Sequence, residues 1–300
     1  MYCFYSNEDV LKLFECYHSD AIGQSSGLVD FFGVLIPVEC APYLSERVGV
    51  KINTPPYPDD SIRAGFIEYL AVLDSIRYAS SGSYQMAEIG ASYGPFTAIC
   101  ALLALRNFPD RHVTVRPVEA ARNGDIAIGK NLAANGLFPN KQVDLEIFSA
   151  AVSSRTDTLF FPDVDCTLDN GAMASRDSED IDVRGMSIPH IEVKAIPLDE
   201  VISSFRADQP IDLVHIDIQG AERYVLPDAM GVLNMRLKRI MIATHSRLIE
   251  GELMDVFHRN GWTLIAEDPV GFNYQSHLPN FIGMTVHDGS QYWVNNRFKN

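Results

Sequence analysis

Positive charge is scarce in this sequence. There are 24 Lys and Arg residues against 39 Asp and Glu, a formal net charge of -15 at pH 7. Nucleic-acid backbones and anionic lipid surfaces are held by clustered Lys and Arg. The acidic balance therefore speaks against both as partners. Cysteine is sparse as well. Cys3, Cys16, Cys40, Cys100 and Cys166 are odd in number, irregular in spacing and free of any C-x-x-C pair. That pattern suggests neither a disulfide framework nor a zinc knuckle, and it fits a reducing compartment. Long apolar runs are missing too, so no membrane span of about 18 residues is expected. The opening "MYCFYSNEDV" lacks a basic segment followed by an apolar stretch. No secretory signal is expected from it, and a cytoplasmic location follows.

What is present is ordinary globular material, 47% hydrophobic and 21% charged, enough for one large α/β domain with an extension. Residues 1–82 read as that extension. "NEDVLKLFECYH" has the apolar spacing of a short amphipathic helix, and "LVDFFGVLIPVEC" reads as a strand pair. "NTPPYPDDS" is a proline-rich connector, with Asp60 or Ser61 placed to cap a helix over 62–79. Residues 83–300 alternate. "YQMAEI", "HVTVRPV", "QVDLEIF", "IDLVHIDI", "LKRIMIAT" and "WTLIAE" read as strands. "PFTAICALLALRN", "DIAIGKNLAAN", "AERYVLPDAM" and "RLIEGELMDVFHRN" read as the helices between them. Such alternation predicts an α/β fold with a mostly parallel sheet and helices on both faces. "FIGMTVHDGSQYWVNN" predicts a closing antiparallel hairpin around its Asp-Gly. The polar stretch 156–188 is expected to be either a solvated insertion or a substrate loop.

The motif that carries chemistry is "AEIGASYGPFTA". A strand ends in an acid, Glu88, and gives way to Gly90, Ala91, Ser92 and Gly94 before a helix opens. Backbone so arranged approaches a nucleotide-like ligand closely. Ser92 stands where a dinucleotide fingerprint has its middle glycine, which disfavours NAD. Glu119 ends the next strand and is placed to accept hydrogen bonds from two ribose hydroxyls. A ligand without phosphates, carrying a sulfonium, tolerates acids nearby, and S-adenosyl-L-methionine fits that description better than NAD. Ligands of open α/β sheets sit at the carboxyl ends of the strands. The ends bring in Ser149, Ala150, Asp217 and His245, with Ser149 either a hydrogen-bond partner of an adenine edge or a cap or turn residue.

"AEIGASYGPFTA", "VEAARNGDIAIGKNLAANG", "IPLDEVI" and "IDLVHIDIQGAERYVL" together resemble the successive motifs of FkbM-type S-adenosylmethionine-dependent methyltransferases. The resemblance runs from Ser83 to the end. Two positions depart from it, Glu88 where many members have Asp and His215 where many have Lys. The resemblance implies a class I methyltransferase fold and methyl transfer to an oxygen, often of a sugar or glycoconjugate.

Methyl transfer needs the acceptor held in line with the methyl carbon, and a hydroxyl acceptor also needs a base. Asp217, His245 and His215 are the catalytic candidates. The expected cofactor site is Glu88, Gly90, Ala91, Ser92, Gly94, Glu119, Ser149, Ala150 and Asp217. Asp217, Glu222 and His245 form a mixed oxygen and nitrogen set, yet their spacing demands no metal. Tyr93, Phe160, Phe161, Phe272 and Tyr274 are candidates to stack on a sugar ring, or core and hinge residues. A small-molecule or glycan acceptor is expected, and the apolar surface of the first 80 residues offers a homodimer contact. An NAD-dependent oxidoreductase and a non-catalytic interaction module stand as rival functions.

Overall fold

The computed structural model describes residues 1–79, 82–168, 171–176, 185–278 and 280–298. Strand β1 (Tyr2–Cys3) precedes helix α1 (Asn7–Glu15), whose cap Ser6 accepts the Asp9 amide at 3.2 Å. Val10, Leu13 and Phe14, spaced three and four apart, bury one face of α1. β2 (Gly27–Val29) and β3 (Leu35–Pro37) form the expected antiparallel pair. Helix α2 (Phe66–Arg77) begins four residues later than its apolar spacing predicts. Asp60 Oδ1 accepts the amides of Ile62, Arg63 and Ala64 at 2.9, 2.8 and 3.1 Å. That side chain holds the three residues in a turn, so they cannot join the helix.

The alternating region follows. β4 (Tyr84–Ile89), α3 (Pro95–Asn107), β5 (Val113–Glu119) and α4 (Gly124–Ala134) lead to the short strands β6 (Val143–Leu145), β7 (Phe148–Ser149) and β8 (Ala151–Ser153). β9 (Asp157–Pro162) and β10 (His190–Pro197) come next, then α5 (Leu198–Ser203), β11 (Leu213–Ile216), α6 (Glu222–Arg236), β12 (Arg239–Thr244) and α7 (Arg247–Arg259). The chain closes with β13 (Trp262–Asp268), β14 (Gly271–Phe272), β15 (Thr285–His287) and β16 (Gly289–Asn295). No described helix is long and apolar enough to cross a membrane.

One sheet organises the molecule, in the order β1-β13-β16-β12-β11-β4-β5-β6, with β7 also beside β5. β12, β11, β4, β5 and β6 are parallel, and β16 runs antiparallel between β12 and β13. The central parallel strands are buried along their length, as helices on both faces require. Their side chains alternate between two cores. Met86, Val115, Leu213 and Met241 pack with α1, α2 and α3. Ala87, Val118, Val214 and Ile242 pack with α5, α6 and α7. Residues 1–79 thus supply an edge strand and a cover helix to the same sheet.

Two local expectations change. The antiparallel pair at the C-terminus is present, but β16 pairs with β13 and β12 while β15 pairs with β14. The segments flanking Asp288-Gly289 therefore do not pair with each other. Asp288 instead lies at the point where the chain turns into the central sheet. The stretch 156–188 begins as strand β9, which pairs antiparallel with β10, and β10 pairs parallel with β8. Leu159 and Phe161 are buried in β9 while Thr158 and Phe160 are not, so the segment has one core-facing side that its polar composition hides. Residues 169–170 and 177–184 of that stretch lie outside the described residues.

Candidate active site

β4 and β11 are neighbours in space although β5 to β10 lie between them in the chain, and the carboxyl ends of such strands leave a crevice. A cavity of about 740 Å³ opens there. Its first wall is the turn after β4. Gly90 has φ +78°, and a Cβ on it would lie 1.8 Å from the Asp217 carbonyl oxygen. Only glycine lets the two strand ends come this close. The amides of Gly90 and Ala91 both reach the Val118 carbonyl, at 3.0 and 2.9 Å. Ser92 and Gly94 are also left-handed, at φ +47° and +74°, so the chain reverses within five residues and releases Pro95 into α3.

Glu88 and Glu119 are both acids at strand ends, and they do different work. Glu88 accepts the amides of Phe96 and Thr97 at 3.0 and 2.7 Å and the Thr97 hydroxyl at 2.5 Å. It caps α3 from inside the sheet. The helix end that would cradle a pyrophosphate is already closed by a buried carboxylate. Glu119 faces the cavity. Its Oε2 accepts the Ser92 amide and its Oε1 the Ala121 amide, both at 2.6 Å. Burial pushes its carboxyl above the usual carboxylate range against the pull of those amides. Gly124 leaves room for it, since a Cβ there would lie 2.4 Å from Glu119 Cγ. The cavity wall continues through Ala150, Ala151 and Val152. Ser149 does not reach it. Ser149 sits opposite Glu119 in the β7–β5 pair, and its side chain is exposed. Alternation along the strand gives the wall to Ala150 instead.

The floor lies at the ends of β11 and β12. His215 is buried, stacks on Phe96 with centroids 4.0 Å apart, and meets Glu68 of α2 at 2.8 Å. Burial disfavours its charged form, but Glu68 and Glu88 outweigh burial and raise its pKa above the ordinary histidine value. Beyond the strand, Asp217 accepts the Gln219 side-chain amide at 2.8 Å. His245 is only 1% exposed. Its Nε2 lies 3.2 Å from Asp217 Oδ1 and 3.9 Å from Asp288 Oδ1, and its Nδ1 lies 3.3 Å from Glu222 Oε1. Burial again opposes the charged ring, yet Glu222 and Asp217 prevail and hold it well above its ordinary value. In return Asp217, which burial alone would push up, is drawn below the usual carboxylate range by His245.

Of the catalytic candidates, His215 and Asp217 line the cavity and His245 stands behind it. Glu88, Gly90, Ala91, Ser92, Glu119, Ala150 and Asp217 also line it, while Gly94 shapes the turn from outside. Tyr93 and Phe161 are in the wall, and Phe160, Phe272 and Tyr274 are not. Several lining residues were not anticipated from the sequence. Asp60, Arg63 and Glu68 reach the cavity from the extension, and Asp288 from the C-terminal turn. Arg63 is held by Asp30 at 2.5 Å and Tyr69 at 2.9 Å. Only the adjacency of Pro-rich connector and helix start hinted at these residues. Asp288 was concealed by its reading as a hairpin turn.

Seven strands of the sheet, counted in chain order from β4, stand in the order 3-2-1-4-5-7-6. With helices on both faces and the glycine turn at the switch point, this is the class I methyltransferase fold. The chain belongs to the FkbM methyltransferase family: the model of the Methyltransferase FkbM domain matches residues 88–261, more than half of its length. It is a methyltransferase of the FkbM type. A curated protein of Jannaschia sp. (strain CCS1), named "Putative methyltransferase", is 28% identical over 263 residues, covering 86% of this chain and 89% of that protein. Among solved structures, methyltransferase FkbM from Methylobacillus flagellatus KT is 14% identical with a TM-score of 0.41. The match covers 76% of this chain and 54% of that one, so this chain spans about half its length. Magnesium protoporphyrin IX methyltransferase from Synechocystis PCC 6803, solved with bound SAM, is 8% identical with a TM-score of 0.39, covering 76% and 78% of the two chains.

Proposed function

We propose that this protein transfers a methyl group from S-adenosyl-L-methionine to a hydroxyl oxygen of a sugar, glycoconjugate or other small molecule. The observation that carries the reading is the contrast between Glu119 and Glu88. Glu119 offers two carboxylate oxygens to the cavity, each with capacity left for a ribose hydroxyl. Glu88 closes the α3 N-terminus, so a ligand with phosphates finds no amides to bind. The donor set fits a nucleoside diol without phosphates. The surrounding acids suit a ligand that carries positive charge.

When bound, this cofactor supplies an electrophilic methyl group on a cationic sulfur. The residues of the chain do the rest. Glu119 would hold the ribose, and the Gly90–Gly94 turn would let the backbone approach the amino-acid tail. The apolar wall of Ala150 and Val152 accommodates a flat base. Asp217 orients the acceptor hydroxyl at the floor. A hydroxyl acceptor that takes the methyl group would give up its proton to a carboxylate of the chain. Asp288 suits that role better than His245, because its side chain is 55% exposed and lines the cavity. His245 is buried behind Asp217 and already flanked by carboxylates. The acidic protein favours neither nucleic acid nor an anionic membrane as acceptor.

Calorimetric titration with S-adenosylmethionine and S-adenosylhomocysteine, with NAD alongside, tests this reading. Micromolar binding of the sulfur ligands and none of NAD is expected. Binding of NAD alone would replace methyl transfer with an oxidoreductase. A methyl-acceptor screen with radiolabelled cofactor over neutral sugars, amines and thiols then tests oxygen as the acceptor atom.

A further inference from the structure

We propose that Asp217, Glu222 and His245 form a binding site for a divalent transition-metal ion such as Mn²⁺ at the floor of the cavity. One oxygen from each carboxylate and one ring nitrogen lie within 4.8 Å of one another. The neighbouring contacts are 3.2 and 3.3 Å. Ligands about 2.0–2.2 Å from a common ion stand roughly 3–3.5 Å apart, so the donors are already near the separations that coordination requires. The three come from separate elements: the end of β11, the first turn of α6 and the end of β12.

A second observation points to a missing partner. Glu222 is 0% and His245 1% exposed. Even so, Glu222 Oε2 and both ring nitrogens of His245 have no hydrogen-bond partner among the described residues. Their contacts are close but not aligned as hydrogen bonds. Buried polar atoms of this kind are normally paired, because leaving them unpaired is costly. Glu222 is also held in place, since its Oε1 accepts the Ile218 amide at 2.8 Å. Elsewhere around the cavity each carboxylate oxygen of Glu88 and Glu119 accepts at least one backbone amide. At the cavity floor three such atoms belong to these two residues beside Asp217, and a fourth is Nδ1 of His215.

Two carboxylates with one imidazole favour Mn²⁺, Fe²⁺, Co²⁺ or Zn²⁺ over Ca²⁺, whose ligands are oxygens alone. Asp217 is the member that lines the cavity, so the open coordination positions face the acceptor. An ion there orients a hydroxyl and makes it more acidic. That catalytic use rests on the methyl-transfer reading above, whereas binding of the ion does not.

The test uses the full chain stripped with EDTA, without cofactor, and titrates Mn²⁺ alone by calorimetry and by the EPR signal of the free ion. One saturable site per chain is expected, weakened at least tenfold in Glu222→Gln and in His245→Gln. Pulsed EPR of the wild-type complex should show nitrogen coupling from the imidazole, a readout that holds even if a variant fails to fold. Absence of a saturable site, binding that both folded variants leave unchanged, or bound Mn²⁺ without nitrogen coupling would each overturn the proposal. In the first case the three residues are a closed ion-paired cluster. A separate titration of the same sample with S-adenosylmethionine reads the functional proposal independently. Its failure beside intact Mn²⁺ binding would remove methyl transfer from that cofactor and leave the site.

Discussion

The two sides of the cavity are built on opposite principles. On the β4–β5 side the two acids are met by backbone amides: Glu88 closes α3, and Glu119 ties the Ser92 and Ala121 amides together. On the β11–β12 side, charges meet charges, with His245 among Asp217, Glu222 and Asp288, and several buried atoms lack a directional partner. The first side is a cradle held by directional hydrogen bonds to the main chain. The second gathers charged groups whose contacts are close without all being hydrogen bonds. Preorganised hydrogen bonds suit binding, while a cluster of unfinished charge suits chemistry on a developing charge.

Gly90→Ala joins the two sides and should have the largest effect. Its Cβ would collide with the Asp217 carbonyl at a positive φ, so a loss of about 3–5 kcal/mol is expected in urea unfolding. A loss below about 1 kcal/mol would mean that the strand ends are not packed as described. Asp288→Asn comes next. It should lower kcat by about 10²–10⁴-fold through loss of the base, with cofactor affinity nearly unchanged. Equal losses in kcat and affinity would make Asp288 part of the cradle and blur the comparison. Glu119→Ala should do the reverse, weakening S-adenosylmethionine binding by about 1–3 kcal/mol. Unchanged affinity in the folded variant would remove Glu119 from the ribose contact. Ser149→Ala should be the smallest, within about 0.5 kcal/mol in both stability and cofactor binding, because its side chain faces solvent. A measurable loss of affinity would restore it to the adenine contact.

The cradle was the more legible side in the sequence. It is local: a strand, a glycine turn and a helix opening lie within twenty residues, and Glu119 follows one βα unit later. Even so, Glu88 lines the cavity while its carboxylate oxygens accept the α3 amides. Its position at a strand end was readable, but the direction of its side chain, inward to the α3 amides, was not. Ser149 fell the other way, because β6 and β7 break between 145 and 148 and a continuous strand over "QVDLEIF" hid the change in phase. Asp217 and His245 were legible as strand ends, and their nearness followed from adjacent parallel strands. That His245 is enclosed by three carboxylates was not legible. One of them, Asp288, immediately precedes β16, the strand that inserts between β12 and β13, and nothing local to Asp288-Gly289 announces that path.

The sequence by itself determined the period of each element, the alternation that makes the sheet parallel, and the tight turn at Gly90. These depend on side-chain periodicity and on backbone freedom, which neighbours in the chain carry with them. Only the tertiary structure decided which acids face the ligand and which are consumed in holding the fold. Burial, hydrogen bonding and the charge of a group depend on what surrounds it in three dimensions. The groups around Glu88, Asp217 and His245 come from elements far apart in the chain.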